Sequence, residues 1–374
     1  MSSTDVRGPF QWTVAVPLAT VVLLAATWAN HEHWLVLVLI ALGLVGGIIA
    51  AVHHAEVVAH RVGEPFGSLI LAVAVTVIEV GLIVMLMTSG GDGASTYARD
   101  TVFAAVMITL NGIVGISLLV GALKHHLVSF NPSGTGSALT TVVALASLTL
   151  VLPSFTTSGA GLEYSPSQLA FAAVASLVLY AGFVFTQTVR HRDFFVPVSS
   201  DEYGSMTGLL GDEDGDGHAD PPSGREAWLS LGLLTAALVS VVGLAKMLSP
   251  TIEDAVRSLG FPYAVVGVVI ALLVLAPESI SAIRNARRDR VQTSLNLGYG
   301  SAMASIGLTI PTIAIASIWL DGPLVLGLEP TQMVLLAITV VVSVLTVAQG
   351  RAKAQQGVIH LTLLAAFLFL SVKP

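Results

Sequence analysis

The chain of 374 residues is 54% hydrophobic and 10% charged, with a formal net charge of -7 and a mean hydropathy of +0.85. That is too apolar for a water-soluble domain, which must cover its surface with polar groups. Cysteine is absent, which excludes disulfide and thiolate-metal chemistry, and nothing in the composition points to a nucleic-acid partner.

Helices are the default for a chain in lipid, because no water is there to satisfy an open backbone amide. Apolar windows predict eleven spans, at 12–29, 34–52, 67–88, 101–123, 138–155, 168–189, 228–247, 263–283, 295–318, 331–348 and 357–372. The sequence therefore reads as an all-α polytopic membrane protein. The first span, about 18 residues with Arg7 alone before it, reads as a retained helix rather than a cleaved signal. With eleven spans the amino-terminal side collects 12 of the 16 Lys and Arg residues. The other side keeps Arg99, Lys246, Arg257 and Lys373. This asymmetry predicts a cytoplasmic amino terminus and an external carboxyl terminus in a cell membrane.

Between the sixth and seventh spans, residues 190–227 form an acidic, Gly- and Ser-rich stretch, read as a cytoplasmic linker. It separates a leading helix (1–30) and a first five-span segment (31–189) from a second five-span segment (228–374). Five is odd, so tandem halves must cross in opposite senses, which gives an inverted repeat.

Two acids stand alone in apolar spans: Glu79 within 67–88 and Glu278 within 263–283. An ionised carboxylate at mid-bilayer costs at least about 2.5 kcal/mol, so each calls for a function or a partner. Each lies in the second span of its half, and the next span carries Asn-x-x-x-Gly in both cases, Asn111 with Gly115 and Asn296 with Gly300. On a helix the Asn and the Gly share a face, letting a neighbouring backbone approach a seam that the amide also faces. Packing is one reading of that motif; paired with two buried acids, a binding role is the other.

Two carboxylates meeting at mid-membrane make a hard oxygen site suited to Ca2+ or Na+, for which protons compete at the same oxygens. Thr76, Ser279, Ser281, Ser301, Ser305 and Thr309 stand where they line such a site, while Pro277 and Pro311 each free a backbone carbonyl. Switching sides only when loaded with cation or proton makes the pair an antiporter. The chemistry needs no cofactor; cations and protons are the cargo, and the bilayer is the surroundings.

The segments Gly63-Glu64-Pro65-Phe66-Gly67 through Val75 to Val80, and Ala276-Pro277-Glu278-Ser279 through Arg287, Gln292 to Asn296 and Gly300-Ser301, resemble the bacterial ChaA-type calcium/proton and sodium/proton antiporters. These form part of the cation/proton exchanger branch of the Ca2+/cation antiporter superfamily. The resemblance runs from about His53 to the end. It implies one leading helix plus two inverted five-helix repeats, with Glu79 and Glu278 as the exchanging acids. The fuller motif of that family has Gly-Asn-Ala-Thr or Gly-Asn-Ala-Val before the Glu. This chain has Val75-Thr76-Val77-Ile78 and Val274-Leu275-Ala276-Pro277 instead.

Three further signals are regulatory candidates. His53, Glu56, His60 and Glu64 fall on one helical face and make either a metal site or proton sensor, or a solvated helix end; His125 and His126 lie at another helix end. Asp212, Asp214 and Asp216 begin an EF-hand-like loop whose twelfth position is Ser223 rather than Glu, so an acidic linker is the simpler reading. Arg284, Arg287, Arg288 and Arg290 read as a topogenic cluster, with anionic lipid as the second reading. Rival functions are a K+/proton or Mn2+/proton antiporter and a cation channel. An intramembrane enzyme is disfavoured by the absence of His-Glu-x-x-His and Gly-x-Ser-x-Gly.

Overall fold

The computed structural model describes residues 12–29, 33–63, 66–88, 93–159, 161–196, 222–320 and 322–374. Every one of the eleven apolar windows is helical. In order, the first helices are α1 (Trp12–Thr27), α2 (Trp34–Val62) and α3 (Phe66–Thr88). Then α4 (Tyr97–Met107) runs through a π-helical turn, Ile108–Ile113, into α5 (Val114–His125). They are followed by α6 (Pro132–Ala146), α7 (Pro166–Phe185) and α8 (Gly224–Ser258). The second half continues with α9 (Ala264–Val274), α10 (Ala276–Arg287), α11 (Val291–Gly307), α12 (Thr309–Ala316), α13 (Pro330–Ala348) and α14 (Ala354–Val372). A two-residue ladder joins β1 (Val128–Ser129) to β2 (Arg351–Ala352), antiparallel.

Among the described residues nine helices are long and apolar enough to cross a membrane, and α9 with α10, bent by 52°, makes a tenth where counted as one span. The first window is shorter than a full crossing: α1 has 16 residues, about 24 Å at the helical rise, against a hydrocarbon core of about 30 Å.

Local chemistry starts and stops these helices. Asn131 Oδ1 accepts from the amides of Ser133 (2.9 Å) and Gly134 (3.2 Å), with Pro132 behind it at the first helical position. At the starts of α7, α13 and α14, the third-position glutamines Gln168, Gln332 and Gln356 each accept from the capping residue's amide at 3.0 Å. Gly63, with φ of 74°, ends α2 in a conformation that side chains resist.

The chain falls into two compact units, Met1–Ile78 with Glu202–Pro250, and Glu79–Asp201 with Thr251–Pro374. In the first unit α1 packs along α2. The buried His54 Nε2 lies 2.8 Å from the Thr13 carbonyl, and Thr27 Oγ1 donates to the Leu23 carbonyl at 2.7 Å. The second unit holds α4 to α7 and α9 to α14. Arg99, a loop cation by sequence, is buried there. Its Nε meets Asp100 at 2.8 Å, and its guanidinium reaches Glu329 at 3.5 Å and the Gly327 carbonyl at 3.4 Å, tying the start of α4 to the start of α13.

Candidate functional site

Glu79 sits on α3, which runs through it without a break, and is 2% exposed. Its Oε2 accepts from Ser305 Oγ at 3.0 Å and from Thr309 Oγ1 at 3.1 Å, both themselves buried. The two hydroxyls are four residues apart but lie on either side of Leu308, where α11 gives way to α12. The cause is Pro311, which offers no N–H to the Gly307 carbonyl four residues back. Hydrogen bonds to an ionised acceptor are the strong ones, so this pair fixes the carboxylate's position. Its other oxygen, Oε1, is buried and has no hydrogen-bond partner among the described residues. A carboxylate oxygen in that condition is costly unless a proton or a cation binds it.

Glu278 lies in the first turn of α10, just past the 52° bend at Leu275. Pro277 withholds the amide that would have bonded the Leu273 carbonyl, and α9 ends there. Ser279 starts the next helix by donating its hydroxyl (2.7 Å) and its amide (2.9 Å) to the Leu275 carbonyl, while the Leu273 carbonyl keeps no amide from Pro277. Glu278 is half-buried and near enough to Glu79 for the two charges to act on each other. Both acids belong to the second compact unit.

The asparagines do not turn to these acids; their amides are engaged elsewhere. Asn111, in the π-helical turn, donates to Thr339 Oγ1 (3.0 Å) and accepts from His360 Nδ1 (3.2 Å), while His360 Nε2 meets Thr346 Oγ1 at 3.3 Å. Gly115 is the reason α14 comes this close: a Cβ there would stand 2.9 Å from that of His360, and one on Gly357 would stand 2.5 Å from the Leu119 amide. The first Asn-x-x-x-Gly thus lines a helix seam. Asn296 donates to the Phe195 carbonyl at 2.6 Å and accepts from Gln292 Nε2 at 2.9 Å, and Gly300 has open space around it.

Of the other candidates, Thr76 and Ser279 spend their hydroxyls on carbonyls of their own helices, Ala72 at 2.8 Å and Leu275 at 2.7 Å. Ser301 is half-buried one turn before Ser305. His360, Thr339 and Thr346 are buried polar residues that the sequence did not single out, and Gln292, part of the segment quoted for the family resemblance, is buried with them. A histidine inside the last apolar window was the available signal.

The regulatory candidates among the described residues do not assemble. His53 packs its ring against Trp12 at 5.4 Å, while Glu56 and His60 are exposed along α2. No group of three or more His, Asp or Glu able to hold a metal occurs among the described residues. Glu64, Asp212, Asp214 and Asp216 lie outside the described residues. His125 reaches the Arg287 carbonyl at 3.4 Å, and His126 takes a φ of 65° just past the end of α5.

Comparison with known proteins gives a consistent result. The profile of the family described as sodium/calcium exchanger protein matches residues 32–189 and 229–373. The chain is 44% identical over 370 residues to y4hA of Sinorhizobium fredii, an ionic transporter by its name, covering 97% of this chain and 96% of that one. It is 33% identical over 355 residues to the sodium-potassium/proton antiporter ChaA of Escherichia coli, covering 94% and 93%. The crystal structure of an H+/Ca2+ exchanger, CAX, superposes with a TM-score of 0.69 at 16% identity, covering 96% of this chain and 87% of that one. At that identity the likeness establishes the fold.

Proposed function

The chain belongs to the sodium/calcium exchanger family, and from that premise we propose that it is an antiporter exchanging cations for protons across a bacterial inner membrane. The multi-pass helical fold and the bacterial relatives support the location, and the relatives' printed names describe transporters rather than enzymes. The observation that carries the reading is Glu79: one oxygen is fixed by Ser305 and Thr309, the other is buried without a hydrogen-bond partner among the described residues, and Glu278 stands near. A cation bridging the two carboxylates and a proton on the same oxygens exclude one another, which couples the fluxes. Inverted five-helix repeats, with breaks at Leu275 and Leu308, supply the alternating access.

Ligand number favours monovalent cargo. Ca2+ takes six to eight oxygens, and here both asparagine amide oxygens accept elsewhere, from His360 and from Gln292, leaving two carboxylates and a few hydroxyls. Na+ with K+ is therefore our first assignment, which the name of the Escherichia coli relative also supports. Ca2+ is the second, supported by the name of the superposed exchanger.

In proteoliposomes carrying a pH dye, pulses of Na+, K+ and Ca2+ should each be tested for cation-driven proton release. Glu79→Gln and Glu278→Gln should each abolish the signal while still inserting in the membrane. Undiminished exchange in either variant would exclude the shared site.

A further inference from the structure

The arginine cluster after Glu278 has a structural setting that the transport site does not use. The carboxyl ends of α5 and α10 pack together, and between them lies an open cleft of about 380 Å³ lined by Val120, Leu123, Lys124, Ile283 and Arg287. Val120, Leu123 and Lys124 share one face of α5, and Ile283 and Arg287 share one face of α10. The cleft is thus apolar along its walls and cationic at its rim. Leu123 is 68% exposed, an aliphatic chain directed at the surroundings rather than at the core.

We propose that this cleft binds an anionic phospholipid, with Lys124 and Arg287 on the headgroup phosphate and the first part of an acyl chain along Val120, Leu123 and Ile283. Lys124 donates one N–H to the Arg287 carbonyl at 2.8 Å. That holds the ammonium at the rim with two donors left over. The Arg287 guanidinium is exposed, and so are those of Arg284, Arg288 and Arg290. Against these cations the stretch from Ser281 to Val291 carries one acid, Asp289. Basic pockets between spanning helices at a membrane face are suited to phospholipid headgroups, and each cation near the surface adds to the attraction. A free anion accounts for the rim but leaves the apolar walls unexplained.

The test reads lipid binding, so its failure is separate from any failure of the transport site. The full-length protein is titrated with phosphatidylglycerol and with phosphatidylcholine and followed by native mass spectrometry. The expected result is preferential, saturable binding of one phosphatidylglycerol. Lys124→Ala with Arg287→Ala should weaken it about 25-fold, taking about fivefold per charge. Arg288→Ala with Arg290→Ala, outside the cleft, should weaken it less. Leu123→Ser, which keeps every charge, should also reduce binding. Equal binding of the two lipids by the unaltered protein overturns the proposal even if the double variant fails to fold. Displacement of phosphatidylglycerol by an equal concentration of glycerol phosphate overturns it too, since that would show anion binding without the chains.

Discussion

At Glu79 two hydroxyls hold one oxygen in place, and the proposed exchange assigns the other to the cargo. A hydrogen bond to a charged group contributes about 1.5–3 kcal/mol, so Ser305→Ala or Thr309→Val should let the carboxylate move and weaken cation binding. The expected outcome is a rise of about tenfold or more in the cation concentration for half-maximal exchange, measured on protein that inserts as the unaltered chain does. Unchanged half-saturation in the double variant would remove these hydroxyls from the site. Both were legible as polar residues in the apolar window of Asn296, and the two acids were conspicuous because a charge in an apolar window is rare. The role of Asn111 was not legible. Its partners Thr339 and His360 lie 228 and 249 residues away along the chain, and no local spacing encodes which of several distant polar groups an amide will meet.

The decisive element is the broken pair α9 and α10. Pro277 predicted a freed carbonyl, that of Leu273, and the helix bends by 52° just after it, at Leu275. Pro277→Ala returns the amide that the Leu273 carbonyl lacks and favours a straighter helix, which swings Glu278 away from its present place. Thermal stability should hold or rise, while exchange should fall at least tenfold; full activity in a straightened helix would make the break incidental. By contrast, the π-helical turn at Ile108–Ile113 leaves no mark on the sequence, because its residues suit an ordinary helix equally well. Helix ends also escaped the windows. The seventh window, 228–247, became a helix from Gly224 to Ser258, because hydropathy trims the charged turns formed by Arg225 with Glu226 and by Glu253, Asp254 and Arg257.

For the whole molecule, the helical membrane architecture was readable from composition, whereas the compact units were not. Their boundaries cut through α3 at Ile78 and through α8 at Pro250 rather than following the linker, since spatial clustering depends on contacts between distant segments. The proposed orientation rests on the distribution of Lys and Arg, and the absence of cysteine makes it directly testable. Ser133 and Ser258 are exposed and stand at opposite ends of the proposed topology, between the fourth and fifth spans and between the seventh and eighth. In intact cells with a single outer barrier to the reagent, Ser258→Cys should react with a membrane-impermeant maleimide. Ser133→Cys should react only after the membrane is opened. The reverse pattern would invert the molecule, whereas labelling of both from one side would require a span to be added or removed between them, and with it the odd-numbered halves on which the inverted repeat depends.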